Sequence, residues 1–146
     1  MPPPIPTSDE LAKMSKLFSL LDEEARGRML AGATRRLVPE GQVIFREGEP
    51  GEEFFLILAG RVSVVADDLG TSKTIAELGR SAFFGEMAMV ARQPRSATVT
   101  ALEACDLLAF GRATLDAVLK DHPTVRQAMG VLSVRRIEEL MEKLST

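Results

Sequence analysis

Two short runs in the middle of the chain carry residue types that suit the binding of an anion. The first is Gly85-Glu86-Met87-Ala88-Met89-Val90; the second is Pro94-Arg95-Ser96-Ala97-Thr98-Val99. Gly85 has no Cβ, so the backbone can turn tightly there and a ligand can approach closely. Residues 86–90 read as a single helical turn. The first amides of such a turn find no partner inside the helix, and they carry partial positive charge. Backbone of that kind seats a phosphate. Pro94 ends the turn and pushes Gln93 toward an extended shape. Arg95 adds a planar fork of donors matched to phosphate oxygens, Ser96 adds a hydroxyl, and Thr98 with Val99 begins a strand. An amide nest and one arginine are thus placed to face one anion.

Composition narrows what else the chain can be. It has 146 residues, 45% hydrophobic and 27% charged, which places it among globular domains with a real core rather than disordered chains. A formal net charge of −3 lacks the basic footprint of a nucleic-acid binder, so no nucleic-acid contact is expected. No apolar run reaches the roughly 18 residues of a membrane helix, and the start Met-Pro-Pro-Pro-Ile-Pro is not a signal peptide. No membrane insertion and a cytoplasmic location are the expectation. Cys105 is the single cysteine and fits a reducing compartment; His122 is the single histidine, which excludes a His-rich metal site and any catalysis needing two histidines. No metal is expected.

The elements that must hold the two runs can be read in order. Residues 1–7 are proline-rich and expected to be mobile. Ser8 with Asp9 can cap a helix running to about Leu21, with Leu11, Met14, Leu17, Phe18 and Leu21 at helical spacing. Asp22 can cap a second helix, from about Glu23 to Ala33. From Arg36 the texture becomes extended runs broken by glycine: Pro39-Glu40-Gly41, Glu47-Gly48-Glu49-Pro50-Gly51, Ala59-Gly60 and Asp67-Asp68-Leu69-Gly70 mark turns. Residues 54–58 are apolar on both faces, as expected of a covered strand. About eight short strands predict an α+β fold: a small antiparallel β-barrel or jelly roll over 36–111, flanked by N-terminal helices over 8–33 and two C-terminal helices over 112–144. The chain from 8 to 146 reads as one domain. The first C-terminal helix spans Arg112 to about Asp121, with Leu115, Val118 and Leu119 inward. The second spans about 124–144. Its apolar stripe starts as Val125, Ala128, Met129 and Leu132 and then shifts to Ile137, Leu140, Met141 and Leu144, rotated by roughly 120°. Two readings stay open for it: a curved core contact, or a second face for ligand, partner or another copy.

The runs Gly85-Glu86-x-Ala88 and Pro94-Arg95-Ser96-Ala97-Thr98-Val99 together resemble the phosphate-binding cassette of the cyclic nucleotide-binding domain family. That family includes catabolite activator proteins, kinase A regulatory subunits and cyclic-nucleotide-gated channels. The turns Pro39-Glu40-Gly41, Glu47-Gly48-Glu49-x-Gly51 and Gly60-x-Val62 also match the family pattern, and the resemblance spans about residues 15–140. It implies cyclic AMP (cAMP) or cyclic GMP (cGMP) as regulatory ligand, with cAMP favoured. Arg95 would then face the phosphate with the amides near Met87, Ala88 and Ala97. Glu86 would accept the ribose 2′-hydroxyl. Val64, Ile75 and Leu78 would form pocket wall. The family reads the purine with the residue after the arginine, here Ser96, and with the last helix. On that helix Arg136 is the first candidate lid over the base and Arg135 the second; Ser96 suits either purine.

Output elements known in the family differ from this chain. No helix-turn-helix after the last helix, no kinase-inhibitor segment and no channel pore is expected from these residues. The expected function is a cyclic-nucleotide sensor that moves its C-terminal helix. The alternative is an interaction or scaffold protein of the same fold, meeting a protein partner or a second copy through the last helix. An enzyme is not expected.

Overall fold

The computed structural model describes residues 4–90 and 92–131. Three helices lead: α1 (Ser8–Met14), α2 (Lys16–Ser19) and α3 (Glu23–Ala31). Eight strands follow: β1 (Thr34–Val38), β2 (Val43–Phe45), β3 (Glu53–Ala59), β4 (Val62–Asp68), β5 (Thr71–Leu78), β6 (Phe83–Phe84), β7 (Thr98–Ala101) and β8 (Cys105–Gly111). The short α4 (Glu86–Val90) interrupts them between β6 and β7, and α5 (Arg112–Asp121) comes after β8. Residues 123–131 are helical as well.

The strands form two antiparallel four-stranded sheets, ordered β1-β8-β3-β6 and β2-β7-β4-β5. The expected jelly roll is therefore a two-sheet sandwich rather than a single closed barrel. The reason lies in β3 and β8, which are buried along nearly their whole length. Successive side chains of a strand point to opposite faces. Phe54, Leu56 and Leu58 of β3 join Leu108 and Phe110 of β8 in a core with Phe18, Met29, Leu115 and Val118 of the helices. Phe55 and Ile57 join Leu107 and Ala109 in a second core with Val62 and Val99 of the other sheet. One sheet is thus sandwiched between the helices and the second sheet. Phenylalanines anchor both cores: Phe54 packs on Phe110 at 5.0 Å between centroids, and Phe55 on Phe84 at 5.1 Å.

Two local expectations need correction. The cap of α1 is Thr7, not Ser8 with Asp9: Glu10 N–H donates to Thr7 Oγ1 at 3.2 Å, and Thr7 N–H to Glu10 Oε1 at 3.0 Å. This capping box satisfies two otherwise orphaned donors at once, which the Ser8–Asp9 pair does not. The helix expected from Ser8 to Leu21 is broken at Ser15, whose backbone is extended. The Ser15 hydroxyl is buried without a hydrogen-bond partner among the described residues, so the break is not the work of its side chain. The expected cap of the next helix stands, with Ala25 N–H donating to Asp22 Oδ1 at 2.8 Å.

Candidate functional site

Arg95 lies at the centre of the predicted site and points inward; it is only 7% exposed. Its main chain is paired with the loop before β3: Arg95 N–H donates to Glu49 O, and Gly48 N–H to Arg95 O, both at 2.8 Å. Its side chain is held three ways. Nη1 donates to Gly85 O at 3.0 Å, Nη2 donates to Glu53 O at 2.7 Å, and Cζ stacks 3.9 Å over the Phe45 ring. That ring belongs to the inter-sheet aromatic group of Phe45, Phe55 and Phe84. The packing that holds the two sheets together therefore also positions the guanidinium. Arg95 Nε is buried with no hydrogen-bond partner among the described residues. Burial pushes this guanidinium below its ordinary pKa, while the carboxylates of Glu53, Glu49, Glu86 and Glu52 oppose the shift.

Gly85 has φ +88°, a backbone shape that favours glycine, and a Cβ there would sit 2.8 Å from Arg95 Nη1. Glu86 opens α4 and is 3% exposed. Met87 lies within α4, and Ala88 is buried in the helix-side core. With five residues, α4 is a single turn, so what it offers an anion is its first amides rather than a long macrodipole. Ser96 is exposed and Ala97 buried.

The expected wall residues lie on the second sheet. Val64 pairs with Val99, on the strand that leaves the cassette. Val64 and Leu78 are partly buried against the inter-sheet core. Ile75 is also partly buried and falls where the β4–β5 register shifts, as the extra residue between Ala76, opposite Val64, and Thr74, opposite Val65. A bulge of this kind re-aims a side chain. Glu47 knits these parts together: its N–H donates to Thr98 Oγ1 at 3.0 Å, and its Oε1 accepts from Asp67 N–H at 2.9 Å. Arg136, Arg135 and the stripe at Ile137, Leu140, Met141 and Leu144 lie outside the described residues.

Three groups around the cassette escaped the sequence reading. Glu53 enters through its backbone oxygen, which no side-chain pattern can show. Gly51 looks like turn punctuation, yet a Cβ there would come within 2.5 Å of Ala88 Cβ and 2.9 Å of Arg95 Cζ. Arg112 looks like the ordinary start of a helix, but its Nη2 donates to Gly51 O at 2.8 Å and Ala88 O at 3.2 Å. A depression of about 250 Å³ opens between Arg112, Glu52, Arg92 and Pro94. Val64, Ile75 and Leu78 do not line it. Among the described residues no group of three or more His, Cys, Asp or Glu is placed to hold a metal, and no helix is long and apolar enough to cross a membrane.

Comparison with known proteins supplies the family. Residues 35–122 match the profile of the cyclic nucleotide-binding domain. The chain is 35% identical over 128 residues to the cyclic AMP receptor protein of Thermus thermophilus, covering 87% of this chain and 59% of that protein. It is 33% identical over 127 residues to a cyclic nucleotide-gated potassium channel of Mesorhizobium japonicum, covering 87% of this chain and 34% of the channel. In structure it is similar to the cAMP-bound regulatory domain of Toxoplasma gondii PKA, with a TM-score of 0.75 at 30% identity, covering 84% of this chain and 48% of that one. The chain thus spans between about a third and three fifths of the length of these relatives. A match over more than half of the chain, with relatives 33% and 35% identical, leads to one conclusion: the chain belongs to the cyclic nucleotide-binding domain family.

Proposed function

We propose that this domain is a cyclic-nucleotide sensor that favours cAMP and responds by moving its C-terminal helix. The observation that carries the reading is the state of Arg95. Two of its nitrogens are pinned by carbonyl oxygens, and the third, Nε, is buried without a partner among the described residues. An unsatisfied buried donor costs about 1–3 kcal/mol. A recessed anion would remove that cost with a charge-assisted bond, and the two pinned nitrogens fix the direction from which it must come. Four carboxylates lie near enough to act on Arg95, so one guanidinium alone makes a weak anion site. The neutral amides of Met87, Ala88 and Ala97 are the donors that complete it without adding charge to balance.

On this reading the cyclic phosphate meets Arg95 and those amides beside Gly85, and the ribose hydroxyl meets Glu86. Val64, Ile75 and Leu78 form the apolar wall, Ser96 reaches the purine edge, and Arg136 closes over the base. The names of the receptor and kinase relatives support cAMP over cGMP. The signal leaves through the C-terminal helix to a protein partner or a second copy of the chain.

Titration calorimetry with cAMP and cGMP tests the proposal. The expected result is saturable binding of both with cAMP tighter, and a loss of roughly tenfold or more in Arg95→Ala, the worth of one charge-assisted contact. Binding unchanged in Arg95→Ala removes that residue from the site. No heat from either nucleotide at about millimolar ligand, the weak end of specific affinity, ends the nucleotide reading.

A further inference from the structure

Glu53 meets Arg95 with its carbonyl and not with its carboxylate. Arg95 Nη2 donates to Glu53 O at 2.7 Å, whereas Arg36 Nη2 donates to Glu53 Oε2 at 2.6 Å. One residue thus serves two arginines, one through its backbone and one through its side chain. The sheet places them for this. Glu53 on β3 lies opposite Gly111 of β8, and Arg36 on β1 lies opposite Leu107. Side chains alternate along a strand, so Glu53 shares the inter-sheet face with Phe55, and Arg36 shares it with Val38. On that face the residue of β8 between Leu107 and Gly111 is Ala109, whose single methyl leaves room for the Arg36 side chain to cross to β3.

The pairing bears on the anion site. Burial pushes the Arg95 pKa down, and among the four carboxylates that oppose the shift Glu53 acts most strongly. A carboxylate beside a guanidinium offsets part of the charge a ligand would meet, and it repels the ligand anion as well. The Glu53 side chain is only 28% exposed, so salt screens it less than it would at an open surface. Two other carboxylates of the group are already engaged: Glu49 Oε1 accepts from Arg46 N–H at 2.5 Å, and Glu52 Oε2 from Arg112 Nε at 3.2 Å. Arg36 does the same for Glu53, from a different strand.

We propose that Arg36 is a positioning residue of the nucleotide site: by pairing with Glu53 it keeps that carboxylate from competing with the phosphate for Arg95. The proposal rests on the nucleotide reading above and deepens it. Arg36 acts through Glu53 and not on the ligand, so its effect on affinity should exist only while the Glu53 carboxylate does.

Calorimetry with cAMP on a double-variant cycle of the 146-residue chain makes the test. Arg36→Met should weaken binding about two- to fivefold, the scale of one exposed charge pair. In a Glu53→Gln background the same substitution should leave affinity unchanged, because no carboxylate remains to be held. Glu53→Gln by itself should not weaken binding, since its carbonyl still meets Arg95. Arg36→Lys keeps the charge and should bind as the wild-type chain does. Arg36→Gln replaces the Met variant in the cycle if that variant does not melt cooperatively. Undiminished affinity on removal of the Arg36 charge overturns the proposal. So does a loss of equal size in both backgrounds, since Arg36 would then act on the fold or on the nucleotide directly. A wild-type chain that takes up neither cAMP nor cGMP sinks the nucleotide reading itself, and this proposal with it.

Discussion

At the scale of single residues, the site is a problem of space around one guanidinium. Gly85 and Gly41 share nearly the same backbone, at φ +88° and +84°, but a Cβ at Gly41 meets nothing within 4 Å while one at Gly85 strikes Arg95 Nη1. Gly41→Ala should cost about 1 kcal/mol of backbone strain. Gly85→Ala should cost about 1–3 kcal/mol more, because the displaced arginine leaves carbonyls unpaired. Urea unfolding of the two variants measures the difference, and equal losses would show that Arg95 does not dictate the glycine. The sequence shows Gly85 and Arg95 because both belong to one short pattern. It shows Gly51 only as a turn residue, since the Cβ-sized gap it leaves beside Ala88 and Arg95 is set by chain far away.

Among the elements, α1 carries a pH dependence of defined sign. Hydrogen bonding at Thr7, to its backbone first and its side chain second, holds the Glu10 carboxyl below its ordinary pKa. A folded-state pKa lowered in this way contributes stability that is complete above the ordinary glutamate value, near pH 4.3. That stability is lost as pH falls through the lowered folded value. The Thr7 amide resonance should therefore titrate with Glu10, with a midpoint below that of a free glutamate, and Glu10→Ala should abolish the titration. A Thr7 amide indifferent to pH would mean that the box does not form. The capping box is legible in Thr7-x-x-Glu10, but the adjacent Ser8 and Asp9 are equally good cap residues by type. The limits of α5, by contrast, agree with the sequence reading. Gly111 and the His122-Pro123 pair punctuate it, and its apolar residues recur at helical spacing.

For the whole molecule, two cores on either side of one sheet divide the labour. Phe54 faces the helices and Phe55 faces the second sheet. Truncation of either to alanine should cost about 3–5 kcal/mol of stability. Only Phe55→Ala should also weaken nucleotide binding, because Phe55 packs against Phe45 and the Phe45 ring carries Arg95. Unfolding and calorimetry on both variants check this, and an equal loss of affinity in Phe54→Ala would refute the separation. Cys105 is buried at the start of β8, its thiol proton shared between Arg61 O and Glu103 O as acceptors, and burial pushes its pKa up. It should react with a thiol reagent at neutral pH far more slowly than in the unfolded chain, since only the thiolate attacks; comparable rates would place it at the surface.

Glycine punctuation, the doubly apolar run at 54–58 and the paired motifs around Gly85 and Arg95 were enough, on the sequence alone, to determine the fold class and the family. Each is a demand on local backbone shape or face, and such demands are written in adjacent residues. The division of eight strands into two sheets was settled only by tertiary packing. So were the carbonyls that pin Arg95 and the grip of Arg112 on Gly51 and Ala88. Those contacts join groups 10, 24, 42 and 61 positions apart, all through backbone oxygens that every residue owns, so side-chain identity carries no trace of them.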